Sequence, residues 1–172
     1  MNWKKQNEKL VYDGYRKILK KTFLLPDGRI DDFDVNKEGQ VVSILPITID
    51  KKIILFKQFR PGPEKYLLEI PGGGIEEDET PEIAAARELI EETGYAGKLK
   101  FIGQSIHSAY STLQRYNFTA VDCKRVQKTD YDENEFGETI ELSLNDFRKH
   151  LQSGQLTDVA TGYLGLDFLD LL

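Results

Sequence analysis

The stretch 72-GGGIEEDETPEIAAARELIEETGY-95 constrains this chain more than any other, because it sets three glycines before a segment whose charges oppose folding. Between residues 76 and 92 stand eight carboxylates (Glu76, Glu77, Asp78, Glu79, Glu82, Glu88, Glu91, Glu92) against one basic residue, Arg87. That local excess is larger than the formal net charge of the entire chain, −6 over 172 residues. Like charges at this density repel unless water or cations neutralise them.

From Thr80 the pattern is helical. Thr80 can cap, Pro81 suits the first helical position, Gly94 closes the helix, and Ile83, Ala86 and Ile90 fall on one face. Residues three and four apart share a helix face, so Glu88, Glu91 and Glu92 are expected to converge. Arg87, four residues before Glu91, can orient one of them by an ion pair. Hard divalent cations such as Mg²⁺ or Mn²⁺ take oxygen ligands, which a carboxylate cluster supplies. The glycines let the backbone come close, so that a carbonyl can complete the coordination sphere. Glu76, Glu77, Asp78 and Glu82 are left as solvated charge.

Around this helix the chain reads as mostly antiparallel strands with two or three helices, an α+β arrangement. Residues 10–25 and 29–35 read as two strands joined by the turn 26-PDG-28. Runs 41–49 and 53–59 flank 50-DKK-52, a hairpin signal, and 66–71 is a short strand entering the glycines. Further strands are expected at 98–106, 115–123 and 139–144, with an acidic loop over 130–138. A helix is expected over 145–152 and a closing amphipathic helix over 157–172.

Taken together, Gly73, five residues, Glu79, seven residues, Arg87-Glu88-Leu89, one residue, Glu91-Glu92, one residue, Gly94 and Tyr95 resemble the Nudix box over residues 73–95. The flanking pieces VYDG (11–14), LPDGR (25–29), KQFRPG (57–62), LLEIPGGG (67–74), DENE (132–135) and GQLTD (154–158) resemble the ADP-ribose pyrophosphatase branch of that family. The resemblance covers nearly the whole chain. It implies one domain over 1–172, a Nudix α/β/α sandwich with mixed, largely antiparallel sheets, and a homodimer that exchanges amino-terminal strands within 1–40.

The activity it implies is Mg²⁺-dependent hydrolysis of the pyrophosphate linkage in a nucleoside diphosphate derivative, ADP-ribose or another nucleotide sugar. Glu88 and Glu92 would be the main metal ligands, Glu91 would assist, the Gly72 carbonyl would add an oxygen, and Arg87 would orient the set. The general base would come from the 132–135 loop, Glu135 ahead of Glu133, with Glu138 also open. Arg60 is the candidate substrate-binding cation, since guanidinium offers bidentate bonding to phosphate. Glu69 is placed beside the pocket as a binding residue. The expected proline of a Ser-Pro-Gly segment is missing from 105–118, and Tyr110, 16 residues past Gly94, stands where dinucleoside polyphosphate hydrolases carry a tyrosine. That keeps a dinucleoside polyphosphate substrate open, and a nucleotide-binding regulatory module without turnover is the third reading.

Composition excludes more than it assigns. A net charge of −6 argues against nonspecific nucleic-acid binding. No run approaches the roughly 20 apolar residues of a membrane span, and the amino terminus lacks the apolar core of a signal peptide. The single cysteine, Cys123, rules out an internal disulfide and a cysteine metal cluster, and a reducing, cytoplasmic setting is the simplest expectation.

Overall fold

The computed structural model describes residues 2–129 and 136–172, and these divide into two compact units. The first gathers the segments 1–40 and 106–114, and the second 41–105 and 115–172.

The first unit is an antiparallel sheet of β1 (Lys4–Asp13), β2 (Lys17–Leu24) and β3 (Ile30–Lys37), in that spatial order. The run expected as one strand over 10–25 is therefore two strands. Asp13-Gly14 breaks it, with Asp13 paired to Lys17 across a turn that Gly14 N–H closes onto Arg16 O at 3.2 Å. Asp-Gly is a turn dipeptide, and the β-rich residues on both sides obscured it. The 26-PDG-28 turn forms as expected, with Gly28 at φ +87° and its N–H on Leu25 O at 3.0 Å. Trp3, Phe23 and Phe33 pack ring to ring at centroid distances of 6.1, 5.8 and 5.9 Å. The 106–114 segment is stitched to the end of β3 by Asn36 N–H on Tyr110 O (2.9 Å) and Thr112 N–H on Asn36 O (3.0 Å).

The second unit is built on a sheet ordered β6 (Lys65–Glu69), β5 (Lys52–Arg60), β4 (Gln40–Thr48), β8 (Gln114–Arg125), β7 (Tyr95–Ile106), with β9 (Gly137–Ser143) also paired to β5. The β4–β5 hairpin turns where 50-DKK-52 signals it, closed by Lys51 N–H on Thr48 O at 3.0 Å. Alternation along the strands sorts apolar side chains onto two faces. Val42, Ile44, Ile54, Phe118 and Ala120 pack with Ala84, Ala85 and Leu89 of α1 (Pro81–Thr93). Leu45, Ile47, Ile53 and Leu55 pack with Phe147 and Leu151 of α2 (Leu144–Gln152) and Leu166 of α3 (Val159–Phe168). Helices on both faces of one sheet make the expected α/β/α sandwich.

Two helices depart from expectation. The buried face of α1 is Ala84, Ala85, Leu89, Glu92 and Thr93, while Ile83 is exposed. Alanine is a weak apolar marker, so the larger isoleucines drew the stripe about one residue away from the true face. The last segment is helical only over Val159–Phe168, and its apolar residues ring the helix instead of forming one stripe. Gly162 and Gly165 let it lie flush against its neighbours: a methyl at Gly165 would come within 2.9 Å of Leu45 Cβ. No helix among the described residues is long and apolar enough to cross a membrane.

Gly165→Ala should therefore overpack the α3–β4 contact and destabilise the fold by about 1–3 kcal/mol. Urea denaturation with an unchanged m-value would report it as a fall in midpoint.

Candidate functional site

The acidic helix is organised by one guanidinium. Arg87 forks onto Glu79, Nε to Oε1 at 2.7 Å and Nη2 to Oε2 at 2.9 Å. Its Nη1 donates to Glu88 Oε1 and to Glu91 Oε2, each at 2.9 Å, and Nη2 also donates to Gly74 O at 2.9 Å. The ion pair with Glu91 expected from spacing is present. Glu79, which local spacing leaves without a role, is the stronger partner because both of its oxygens are taken. It lies before the helix starts, where the i, i+4 rule does not reach. Glu79 also accepts Glu76 N–H at 3.1 Å, which closes the turn leading into α1. The helix is well started and stopped: Thr80 Oγ1 accepts Ile83 N–H at 3.3 Å, and Gly94, at φ +73°, donates to Ile90 O at 2.8 Å.

Charge follows this geometry. The Arg87 fork holds the Glu79 carboxyl at about 2, well below its ordinary 4.5, while the same carboxylates push the Arg87 guanidinium up.

The glycines act through proximity. Pro71 O and Gly73 O accept Ile44 N–H and Val42 N–H, each at 2.9 Å, so this segment runs alongside β4. Between them the Gly72 N–H turns to Glu92 Oε2 at 2.8 Å. Glu92 is only 6% exposed, so that amide caps a carboxylate inside the protein. A methyl at Gly73 would come within 2.6 Å of Glu88 Cδ, so only a glycine lets Glu88 lie against the backbone. At Gly72 a methyl would meet the backbone itself, 2.9 Å from Ser43 Cα.

Glu88 and Glu91 thus meet on one nitrogen of Arg87, while Glu92 turns to the Gly72 amide. Among the described residues no three acidic, histidine or cysteine groups are gathered as a ready cage. The convergence of three acids read from spacing is accordingly split into a pair and a neighbour, because Arg87 and an amide N–H serve them separately. The donor set still fits a hard divalent cation: it is all oxygen, it lies on one helix face, and a side-chain-free backbone cradles Glu88.

Arg60 and Glu69, both expected beside a pocket, are brought together. Arg60 Nε donates to Glu69 Oε2 at 2.6 Å, and Thr157 Oγ1 donates to Glu69 Oε1 at 2.8 Å. Thr157 was not singled out by the sequence, since nothing local links residues 88 apart. Tyr110 belongs to the first unit and lines a cavity of about 380 Å³ with Trp3, Phe23 and Phe33. Glu133 and Glu135 lie outside the described residues, and Glu138 is an exposed partner of Lys57 at 3.9 Å. His150, in the last turn of α2, meets Leu68 O at 2.8 Å. The ring of Tyr95 is buried, its hydroxyl bonds Glu141, and burial raises the phenol to about 12.

Comparison with known proteins adds an independent line. The family model for the NUDIX domain matches residues 37–158. An ADP-ribose pyrophosphatase of Bacillus subtilis (strain 168) is 35% identical over 142 residues, covering 81% of this chain and 77% of that one. A methanol dehydrogenase activator of Bacillus methanolicus is 31% identical over 150 residues, covering 83% and 80%. A solved structure described as an ADP compounds hydrolase superposes with TM-score 0.84 at 22% identity, over 99% of this chain and 95% of that one, and so shares the fold.

The two glycines should separate on substitution. Gly73→Ala should displace Glu88, a movable side chain, and lower metal affinity with little change in melting temperature. Gly72→Ala should force backbone apart and cost about 1–3 kcal/mol of stability. Calorimetric metal titration and thermal denaturation of the pair check both. The Glu79 carboxyl should titrate near 2 by carbon-detected NMR, against an ordinary 4.5. Because its value is depressed in the folded state, its stabilising contribution is complete above 4.5 and is lost as pH falls towards 2. Glu79→Gln should remove that part of the acid dependence.

Proposed function

This chain belongs to the NUDIX family as a pyrophosphohydrolase of the ADP-ribose pyrophosphatase type, and we propose that it cleaves the pyrophosphate linkage of ADP-ribose or another nucleotide sugar with Mg²⁺. The observation that carries this is the pair of glutamates, Glu88 and Glu92, held against the glycine backbone on the inner face of α1. Their placement gives buried anionic oxygen a purpose that folding alone does not supply.

Glu88, Glu91 and Glu92, with the Gly72 carbonyl, would hold the cation, Mg²⁺ or Mn²⁺. A bound divalent ion neutralises phosphate charge and makes a water more acidic. Arg87 keeps Glu88 and Glu91 in place from the side, and Glu79 in turn fixes Arg87. Arg60 supplies a guanidinium for the substrate's phosphates. Abstraction of the water proton is assigned to Glu135, with Glu133 as the alternative, on the strength of the family resemblance. Tyr110 is kept as a substrate-binding residue on the strength of its place 16 residues past Gly94.

A homodimer is part of the same reading. All ten residues of β1 are exposed and one of its edges is unpaired among the described residues, including Leu10, Val11 and Tyr12. An unpaired edge of this kind is a template for pairing with a strand of another chain. The single cysteine, Cys123, is free and buried, consistent with a cytoplasmic setting.

Glu92→Gln should lower turnover by at least about a hundredfold, more than is typical for residues that only support a ligand. Phosphate release from ADP-ribose, GDP-mannose, UDP-glucose, Ap4A and NADH, each with Mg²⁺, checks this and ranks the substrates. Unchanged turnover in Glu92→Gln would end the hydrolytic reading of this helix, and preference for Ap4A would move the substrate to the dinucleoside polyphosphates.

A further inference from the structure

Glu69 is a carboxylate that the sheet does not need. It is 3% exposed, and a charge at that depth persists only when both oxygens are well paired. One partner is near in the chain, Arg60 Nε at 2.6 Å from the end of the neighbouring strand β5, and the other is far, Thr157 Oγ1 at 2.8 Å from the loop between α2 and α3. Both oxygens are held, and the carboxylate in turn holds the Arg60 guanidinium at Nε.

The rest of that guanidinium is available. The Arg60 side chain is 45% exposed, and Nη1 and Nη2 have no partner among the described residues. An arginine clamped at Nε presents its remaining N–H donors in a fixed planar fork, which matches the oxygens of a phosphate. Thr157 is itself held on both sides. Leu156 before it is buried in the α2–α3 core, and Asp158 after it pairs with Arg115 at 2.7 Å. The hydroxyl therefore stands on a loop anchored at both neighbours.

We propose that Thr157 is a positioning residue: through Glu69 it aims the outer fork of Arg60 at a phosphate-class oxyanion. The inference rests on the reading of Arg60 as the substrate's phosphate-binding cation. Entropy that a free arginine would lose on binding is lost during folding instead, so the effect falls on binding and not on the chemical step.

The test compares Thr157→Val, Thr157→Ser and Arg60→Gln in the intact chain. It measures KM and kcat for ADP-ribose with Mg²⁺, and inorganic pyrophosphate affinity by calorimetry. Thr157→Val should raise KM and weaken pyrophosphate binding by about tenfold with kcat nearly constant, and Thr157→Ser should restore both. A Thr157→Val protein that melts earlier but keeps wild-type KM and pyrophosphate affinity would show a loop tether only and overturn the inference. If Arg60→Gln weakens pyrophosphate while Thr157→Val does not, the positioning role fails and the role of Arg60 stands. If Arg60→Gln also binds pyrophosphate normally, the reading of Arg60 fails and the inference falls with it. Thr157→Ala, read by the same titration, decides the matter should the valine variant not fold, and the pyrophosphate arm holds whichever nucleotide is cleaved.

Discussion

The acidic end of this protein depends on the Arg87 guanidinium. Three carboxylates and one carbonyl converge on it, from the turn before α1, from the helix and from the glycine segment. Without a cation at that point, Glu79, Glu88 and Glu91 would repel within one helical turn and its approach. The charge that looked hostile to folding is thus divided: part is neutralised internally by Arg87, and the rest is directed to one face. This is why a helix of low apolar content can still be an integral layer of a sandwich.

A second constraint is the narrowness of α1's apolar stripe. Two alanines and one leucine are its buried apolar residues, beside a buried glutamate and a buried threonine. Small side chains bring the helix close to the strands, and closeness lets Glu92 reach the Gly72 amide. Larger apolar residues would have strengthened the packing while moving the carboxylates away from the glycines. Packing and site geometry therefore trade against each other along the same face.

What was legible in the sequence was local. The Thr80 cap, the Gly94 stop, the β4–β5 turn and the strands feeding the glycines all follow from residues within a few positions of one another. The helix face was misjudged because alanine carries little signal, and the β1–β2 turn because Asp13-Gly14 sits inside a β-rich run. The ties from Arg87 to Glu79 and from Thr157 to Glu69 were out of reach for another reason. They join residues outside one helical turn, or 88 positions apart, and only the fold brings them into contact. Spacing brought Glu88 and Glu91 together but could not tell that Arg87 would take both while Glu92 turned to the Gly72 amide.

The segment Pro71–Gly73 belongs to two systems at once. Its carbonyls extend the β4 side of the sheet, while the amide between them holds a buried carboxylate of α1. Selection on the hydrophobic core and selection on the site are consequently exerted on the same three residues. A drift in core volume beneath Val42 or Ile44 would be transmitted to Glu92 by a single peptide, with no hinge or loop to absorb it. A change in a loop outside this segment carries no such penalty, because it leaves both the β4 pairing and the Gly72 amide where they are.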